Sequence, residues 1–186
     1  MGAIDRGSLT GRALKAFLLF LCLILTAVSC APAVTADVDP AEVVEDVVAD
    51  YSLDGGFLFR SGTSEEGEYL DPDLISTYYG DGEKVPDFSR VTEYCVYIDE
   101  SNAREMSEVG LFKLSEGSDL QQFASFLKNR VAVRLSNAKS YPDINKSTLK
   151  GARFGTLGNY VYYVVVKNDS AEIAARLERI LLGETG

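Results

Sequence analysis

Apolar positions along the chain change period several times, and each change marks an element. Residues 16–28, "AFLLFLCLILTAV", are almost unbroken apolar; as a helix they reach about 20 Å, short of the ~30 Å hydrocarbon core of a bilayer. In "DVDPAEVVEDVVADY", Val43, Val44, Val47 and Val48 recur at helical spacing behind Asp39 and Pro40. With acids in its first turn, this segment predicts a short amphipathic helix ending near Tyr51. The Gly- and Ser-rich stretch near residues 54–70 predicts an irregular surface excursion, in which "GFLF" is the apolar exception able to tuck back. A second short helix, "DPDLISTYY", is predicted to end at Gly80, before the turn "DGEKVPD".

The centre is strand-like. "RVTEYCVYID" and "EVGLFKL" predict an antiparallel pair. Ser118 and Gln121 then read as a capping box, and Leu120, Phe123, Leu127, Val131 and Leu135 form one stripe of a helix of about five to six turns up to Tyr141, where Pro142 stops it. Lys128, Arg130, Arg134 and Lys139 are placed on its polar side, as a locally basic surface. Past "PDINKSTLK", "ARFGTLGNYVYYVVVK" reads as a hairpin or one long bent strand, turning at Gly158 and Asn159. Tyr160, Tyr162, Val164 and Val166 share one face and Val161, Tyr163 and Val165 the other, so both look covered. A last helix starts at Asp169, capped by its carboxylate with Glu172 three residues on, and runs through Ile173, Leu177, Ile180 and Leu181 to Gly183. The expected class is α+β, an antiparallel sheet packed mainly on one side by helices, as a single domain.

The N-terminus changes the picture by adding an address. Arg6, Arg12 and Lys15 precede the apolar run, small residues follow it, and its length suits a signal-peptide core better than a permanent span. Two cuts are open. One, before Cys30, rests on "AVSC", which resembles the lipobox of bacterial lipoproteins, whose cysteine thiol carries diacylglycerol. The other follows "VTA" at Ala36 and yields a freely secreted chain. Ala27, standing where leucine is usual in a lipobox, keeps that alternative open; an uncleaved anchor is the third reading, disfavoured by the length of the apolar run. The expected organisation is a removed lipoprotein signal over residues 1–29, a short tether over 30–36, the α+β domain over 37–183 and a tail over 184–186. Of the three cysteines, Cys22 would leave with the signal and Cys30 would be lipidated. Cys95 then stands without a disulfide partner, packed on one face of its strand.

Charge and composition narrow the chemistry. The whole chain carries a net charge of −10, and removal of residues 1–29 takes three basic residues and one acid, deepening it to −12 over 157 residues. Nucleic acid and acidic headgroups are poor partners for such a surface. Residues 37–73 hold twelve acids against the single Arg60, a stretch suited to facing away from an anionic envelope or to binding something cationic. The absence of histidine removes Ser-His-Asp triads, Cys-His pairs and histidine zinc sites. Ser125 and Lys128 have the S-x-x-K spacing of penicillin-binding serine enzymes, but lie mid-helix without a K-T-G partner, as a solvent-facing polar pair. "DPD" and "DGE" do not complete a calcium loop, and "NKS" and "NDS" read as loops. No catalytic, metal or cofactor residues are expected.

The lipobox, "SEVGLFKLSEGSD" leading into "LKNRVAVRLSNAKSY", and then "TLGNYVYYVVV" before a closing helix together resemble a family of bacterial lipoproteins described as domain of unknown function 4358. The recurring features are a glutamate before an aliphatic strand, Arg130 in the helix and the Gly158-Asn159-Tyr160 turn. The resemblance implies an address on the extracytoplasmic face of the cell membrane, lipid-anchored through Cys30, and no assigned activity. The expectation is a non-enzymatic binding or assembly module touching the membrane through diacylglycerol on Cys30, with a possible envelope protein partner. The alternative is an envelope enzyme that uses carboxylates on cell-wall polymers. Two facing acids in a pocket would favour the enzyme, and a flat or tyrosine-rich patch the binder.

Overall fold

Strands whose residues are apolar on both faces need cover on both faces, and that requirement organises the fold. The computed structural model describes residues 35–99, 101, 106–141 and 144–184; the segment expected to be a signal peptide and Cys30 lie outside the described residues. Strands β1 (Phe57–Arg60), β2 (Val91–Ile98), β3 (Glu108–Leu114), β4 (Arg153–Leu157) and β5 (Tyr160–Val165) form one antiparallel sheet in the order β1-β2-β3-β5-β4. The hairpin β4–β5 folds at Gly158, whose φ of +58° is the left-handed conformation such a turn needs. It docks with β5 inward against β3, leaving β4 at one edge and β1 at the other. Every residue of β5 is buried.

Helices α1 (Pro40–Asp50), α2 (Pro72–Tyr79), α3 (Leu120–Asn137), α4 (Lys146–Lys150) and α5 (Ser170–Leu181) cover this sheet. The α+β class and the antiparallel sheet are as expected. Helical cover is heavier on one side but not confined to it. Helices α2, α3 and α4 bury Tyr94, Val96, Phe112, Val161 and Tyr163 on one face, while α1 and α5 bury Cys95, Tyr97, Leu111, Tyr160, Tyr162 and Val164 on the other. Alternation in β5 forces this: its two residue sets are equally apolar, so neither face tolerates water.

Local signals located most elements. Asp39 caps α1 by accepting from the Ala41 N–H at 2.8 Å, with Pro40 in the first turn, and the helix ends at the Tyr51 C-cap. Asp71 caps α2, and Gly80 ends it. Elsewhere the caps differ from expectation. Helix α3 is capped by Asp119, which accepts from the Gln122 N–H at 2.9 Å, while the Ser118 hydroxyl donates back to the Ser115 carbonyl; the last turn closes at Asn137, before Tyr141. Asp169 makes no side-chain cap bond to α5; the Ser170 hydroxyl instead joins the N–H and carbonyl of Val166, both at 2.8 Å. "NKS" opens a helix rather than a loop, because the Asn145 carboxamide oxygen accepts from the Ser147 and Thr148 N–H groups of α4.

The excursion over residues 54–70 also contains a strand. Phe57 to Arg60 pair with Ile98 to Cys95 of β2, and the Arg60 N–H donates to the Glu68 carbonyl at 2.8 Å, folding the rest of the excursion over that edge. Its alternation is only four residues long and both its end residues are exposed, so the pattern alone was too short to separate it from loop. Residues 35–39 lie along the domain. The Ala36 N–H donates to the Leu181 carbonyl at 2.8 Å, the Val38 N–H donates to the Tyr160 hydroxyl at 2.9 Å, and Lys113 reaches the Asp37 carboxylate at 2.7 Å. Thr35 sits against Gly158, where a β-carbon would collide with it.

Candidate functional site

Two arrangements at one end of the sheet stand out, a buried charge cluster and an open polar cleft. The cluster begins with Glu108, the first residue of β3. Alternation points it to the α3 side of the sheet, and its side chain is fully buried. Helix α3 brings Arg130 over it: Nε lies 2.7 Å from one carboxylate oxygen and Nη2 3.0 Å from the other, a two-pronged pair. Arg134, one turn on, also pairs with Glu108 and reaches the Met106 sulfur. From β5, the Tyr163 hydroxyl donates to the same carboxylate at 2.9 Å. The Tyr79 hydroxyl lies 3.2 Å from that of Tyr163; since Tyr163 gives its proton to Glu108, Tyr79 donates to Tyr163. The Arg130 guanidinium stacks 4.4 Å from the centre of the Tyr78 ring.

Arg130 and Arg134 therefore do not form a basic surface. They face inward, and Arg130 is only 7 % exposed. The helical period held the signal: Arg130 follows Phe123 by seven residues and Leu127 by three, and Arg134 follows Leu127 by seven, so both lie on the apolar stripe. Treating charge as a mark of the solvent side hid it. A buried carboxylate under that stripe supplies the compensation, since an unpaired guanidinium there would cost several kcal/mol.

Space for the Tyr163 ring comes from Gly110, opposite it on β3, where any β-carbon would run into the ring. Burial raises the Tyr163 hydroxyl well above its ordinary pKa, with the neighbouring Tyr79 adding to it. The Tyr79 hydroxyl is pushed up to about 12, again chiefly by burial. Both stay protonated donors at neutral pH, so the cluster binds one carboxylate rather than moving protons.

The cleft lies at the same end. Its volume is about 540 Å³, between the α1–β1 connection, the end of β2, Ser107 and the start of α5. Asp54, Asp99 and Asp169 line it from three elements, with Tyr97, Ser101, Ser107 and Lys167. Asp99 is 8 % exposed, and one of its oxygens accepts from the Ser101 N–H at 2.9 Å and hydroxyl at 2.6 Å. The Tyr97 hydroxyl donates to the Asp54 carbonyl at 3.1 Å and accepts from the Gly56 N–H at 3.1 Å, fixing the cleft floor. The Asp99 N–H donates to the Ser107 carbonyl at 2.9 Å. Glu108, next in the chain, thus anchors the hairpin mouth from below while the cleft opens above it.

Other sequence candidates stay apart from this region. Ser125 is exposed and donates to the Gln122 carbonyl at 2.6 Å, a local back-bond on a solvent-facing helix position. Cys95 is buried beneath α1, and burial pushes its thiol up to about 12. Among the described residues, no group of three His, Cys, Asp or Glu side chains is placed to hold a metal ion, and no helix is long and apolar enough to cross a membrane.

Residues 87–166 match the family model described as domain of unknown function, DUF4358. The chain carries a DUF4358 domain. Glu108, Arg130, Tyr163 and the Gly158 turn all fall inside the matched stretch, which runs from the 3₁₀ turn Phe88–Arg90 through β5. The DUF4358 segment cannot close its own core: α1 and α5, which cover Cys95, Leu111, Tyr162 and Val164, lie outside it. The folded unit is thus larger than the matched segment. No curated protein matches the chain, and no solved structure does.

Proposed function

We propose that this DUF4358 protein is an extracytoplasmic lipoprotein, held at the cell membrane by diacylglycerol on Cys30, that works as a non-enzymatic binding module through its acidic cleft. The observation that carries the reading is how its buried charges are used. Glu108 is saturated by two arginines and a tyrosine hydroxyl, so this fully buried carboxylate is committed to holding the fold. The cleft beside it is open, polar and built largely from connections between elements, the placement expected of a recognition surface. Its three aspartates suit a partner presenting lysine, arginine or an amine.

Anchoring through Cys30 draws support from residues 35 and 36. A cut after Ala36 would discard the Thr35 contact with Gly158 and the Ala36 bond to Leu181, whereas a cut before Cys30 keeps both. The test is metabolic labelling with a palmitate analogue, comparing the protein with Cys30→Ala. Label and membrane retention are expected in the first and lost in the second; unchanged retention in C30A refutes the anchor. For the cleft, crosslinked capture from native membranes is expected to yield a partner that an Asp54→Lys/Asp169→Lys variant no longer retains.

A second reading has its own observation, since three aspartates line one cleft. An envelope enzyme acting on wall polymers would release soluble fragments from purified wall material and lose that activity in Asp99→Asn. Partner capture with no fragment release supports the binding module.

A further inference from the structure

We infer that the domain stands on the bilayer in one orientation, with the Gly158 turn and the end of α5 facing the headgroups and the acidic cleft facing away. This rests on the lipid-anchor reading and adds to it a membrane-contacting surface. The argument begins with chain length. Residues 31–34 are all that separate Cys30 from Thr35, and five residue steps span at most about 18 Å. Thr35 is not slack, because it packs on Gly158 and the next residue bonds to the Leu181 carbonyl. The anchor therefore takes hold of the domain at one pole.

Strand and helix directions say where that pole lies. β5 runs from Tyr160, beside the Gly158 turn, to Val165, and Val166 lines the cleft; α5 runs back from Ser170 at the cleft to Leu181. Six strand residues and twelve helical residues each cover about 17 Å. Pole and cleft thus lie at opposite ends of the same elements. A domain of about 150 residues is roughly 40 Å across, so a tether of about 18 Å cannot let it turn over and bring the cleft to the lipid.

The surface around the pole suits shallow contact with a bilayer. Leu182, at the end of α5, is 39 % exposed. Beside it opens a groove of about 510 Å³, lined by Ala36, Val38 and Ile180 with Arg176, Arg179 and Glu184 at its polar margin, Arg176 pairing with Asp50 at 2.6 Å. Lys113 at this pole is neutralised by Asp37 and Glu93, at 2.7 and 2.9 Å. Contact is accordingly held by the anchor and its short tether, without a basic patch.

The test places a fluorophore on single cysteines, Glu184→Cys at the pole or Phe57→Cys at the far end of β1, in the lipidated protein. Cys95 can remain, since it is buried. The protein is reconstituted in phosphatidylglycerol–phosphatidylcholine vesicles carrying a headgroup nitroxide quencher. Quenching at residue 184 is expected to exceed that at residue 57 several-fold. A twenty-residue Gly/Ser insertion after Cys30 is expected to collapse the difference while retention stays intact. Equal or inverted quenching in protein that carries the acyl label overturns the orientation alone, as does a difference that survives the insertion. Absence of acyl label on Cys30 overturns the anchor and the orientation with it.

Discussion

Removing one member of the Glu108 cluster tests whether it braces the cleft end of the sheet. Arg130→Met keeps much of the side-chain volume but takes two hydrogen bonds, at 2.7 and 3.0 Å, from a fully buried carboxylate. Breaking a buried pair from one side typically costs about 3–5 kcal/mol, because the remaining charge stays out of water. Arg134 and Tyr163 still contact Glu108, which places the expected loss near the lower end, at about 3 kcal/mol. Glu108→Gln leaves two inward arginines without a counter-charge, and the expected loss is about 4 kcal/mol. The double variant should cost less than the sum of the two, with a coupling of about 2 kcal/mol, since neither partner then faces an orphaned charge across the pair. Equilibrium urea unfolding followed by circular dichroism reads this directly: with a slope of about 2 kcal/mol/M, Arg130→Met moves the midpoint down by about 1.5 M. Single losses below about 1 kcal/mol, or additivity within about 0.5 kcal/mol, would refute the cluster as a structural clamp.

Other outcomes follow from the same core. Gly110→Ala should destabilise by about 1–3 kcal/mol through overpacking against Tyr163, and tyrosine near-ultraviolet dichroism should report the displaced ring. Tyr79, with a hydroxyl pKa near 12 when folded against 10.0 when unfolded, contributes stability that is whole below pH 10. That contribution is lost as pH rises through the folded value, a span worth about 3 kcal/mol. Tyr163 moves in the same direction. The difference in absorbance at 295 nm between the protein and Tyr79→Phe should therefore show the Tyr79 hydroxyl ionising only together with unfolding; its ionisation in a folded protein at pH 10–11 contradicts its burial. Cys95, with its thiol near 12, should resist a thiol reagent at pH 8 in the folded protein and react at once in urea.

How much of this was legible in the sequence depended on the range of each signal. Helices α1 and α2 were readable because the start of each is written in adjacent residues, Asp39-Pro40 and Asp71-Pro72. The β2–β3 pair was readable for the same reason, since propensity and turn chemistry act within a few residues, whereas the segment around Gly158 was legible only as a hairpin or one long bent strand, and pairing of β4 with β5 decides for the hairpin. Both faces of β5 announced themselves by alternation. The caps of α3 and α5 missed by one residue or one hydroxyl, since neighbouring Ser and Asp side chains compete for the same N–H groups and packing chooses between them.

What the sequence by itself determined, then, is the α+β class and the identity of most elements. Only the tertiary structure decided that β1 is a strand, since four residues acquire that identity by pairing with β2. It also decided that β5 rather than β4 lies inside the sheet, and that α1 and α5 close the second face. The same holds for the site. Arg130 and Tyr163 stand 22 and 55 residues from Glu108, whose carboxylate they share, and no local pattern ties the three together. A charge on an apolar stripe is tolerable only when its opposite is buried against it, and that condition is met in space, where the strand and the helix cross.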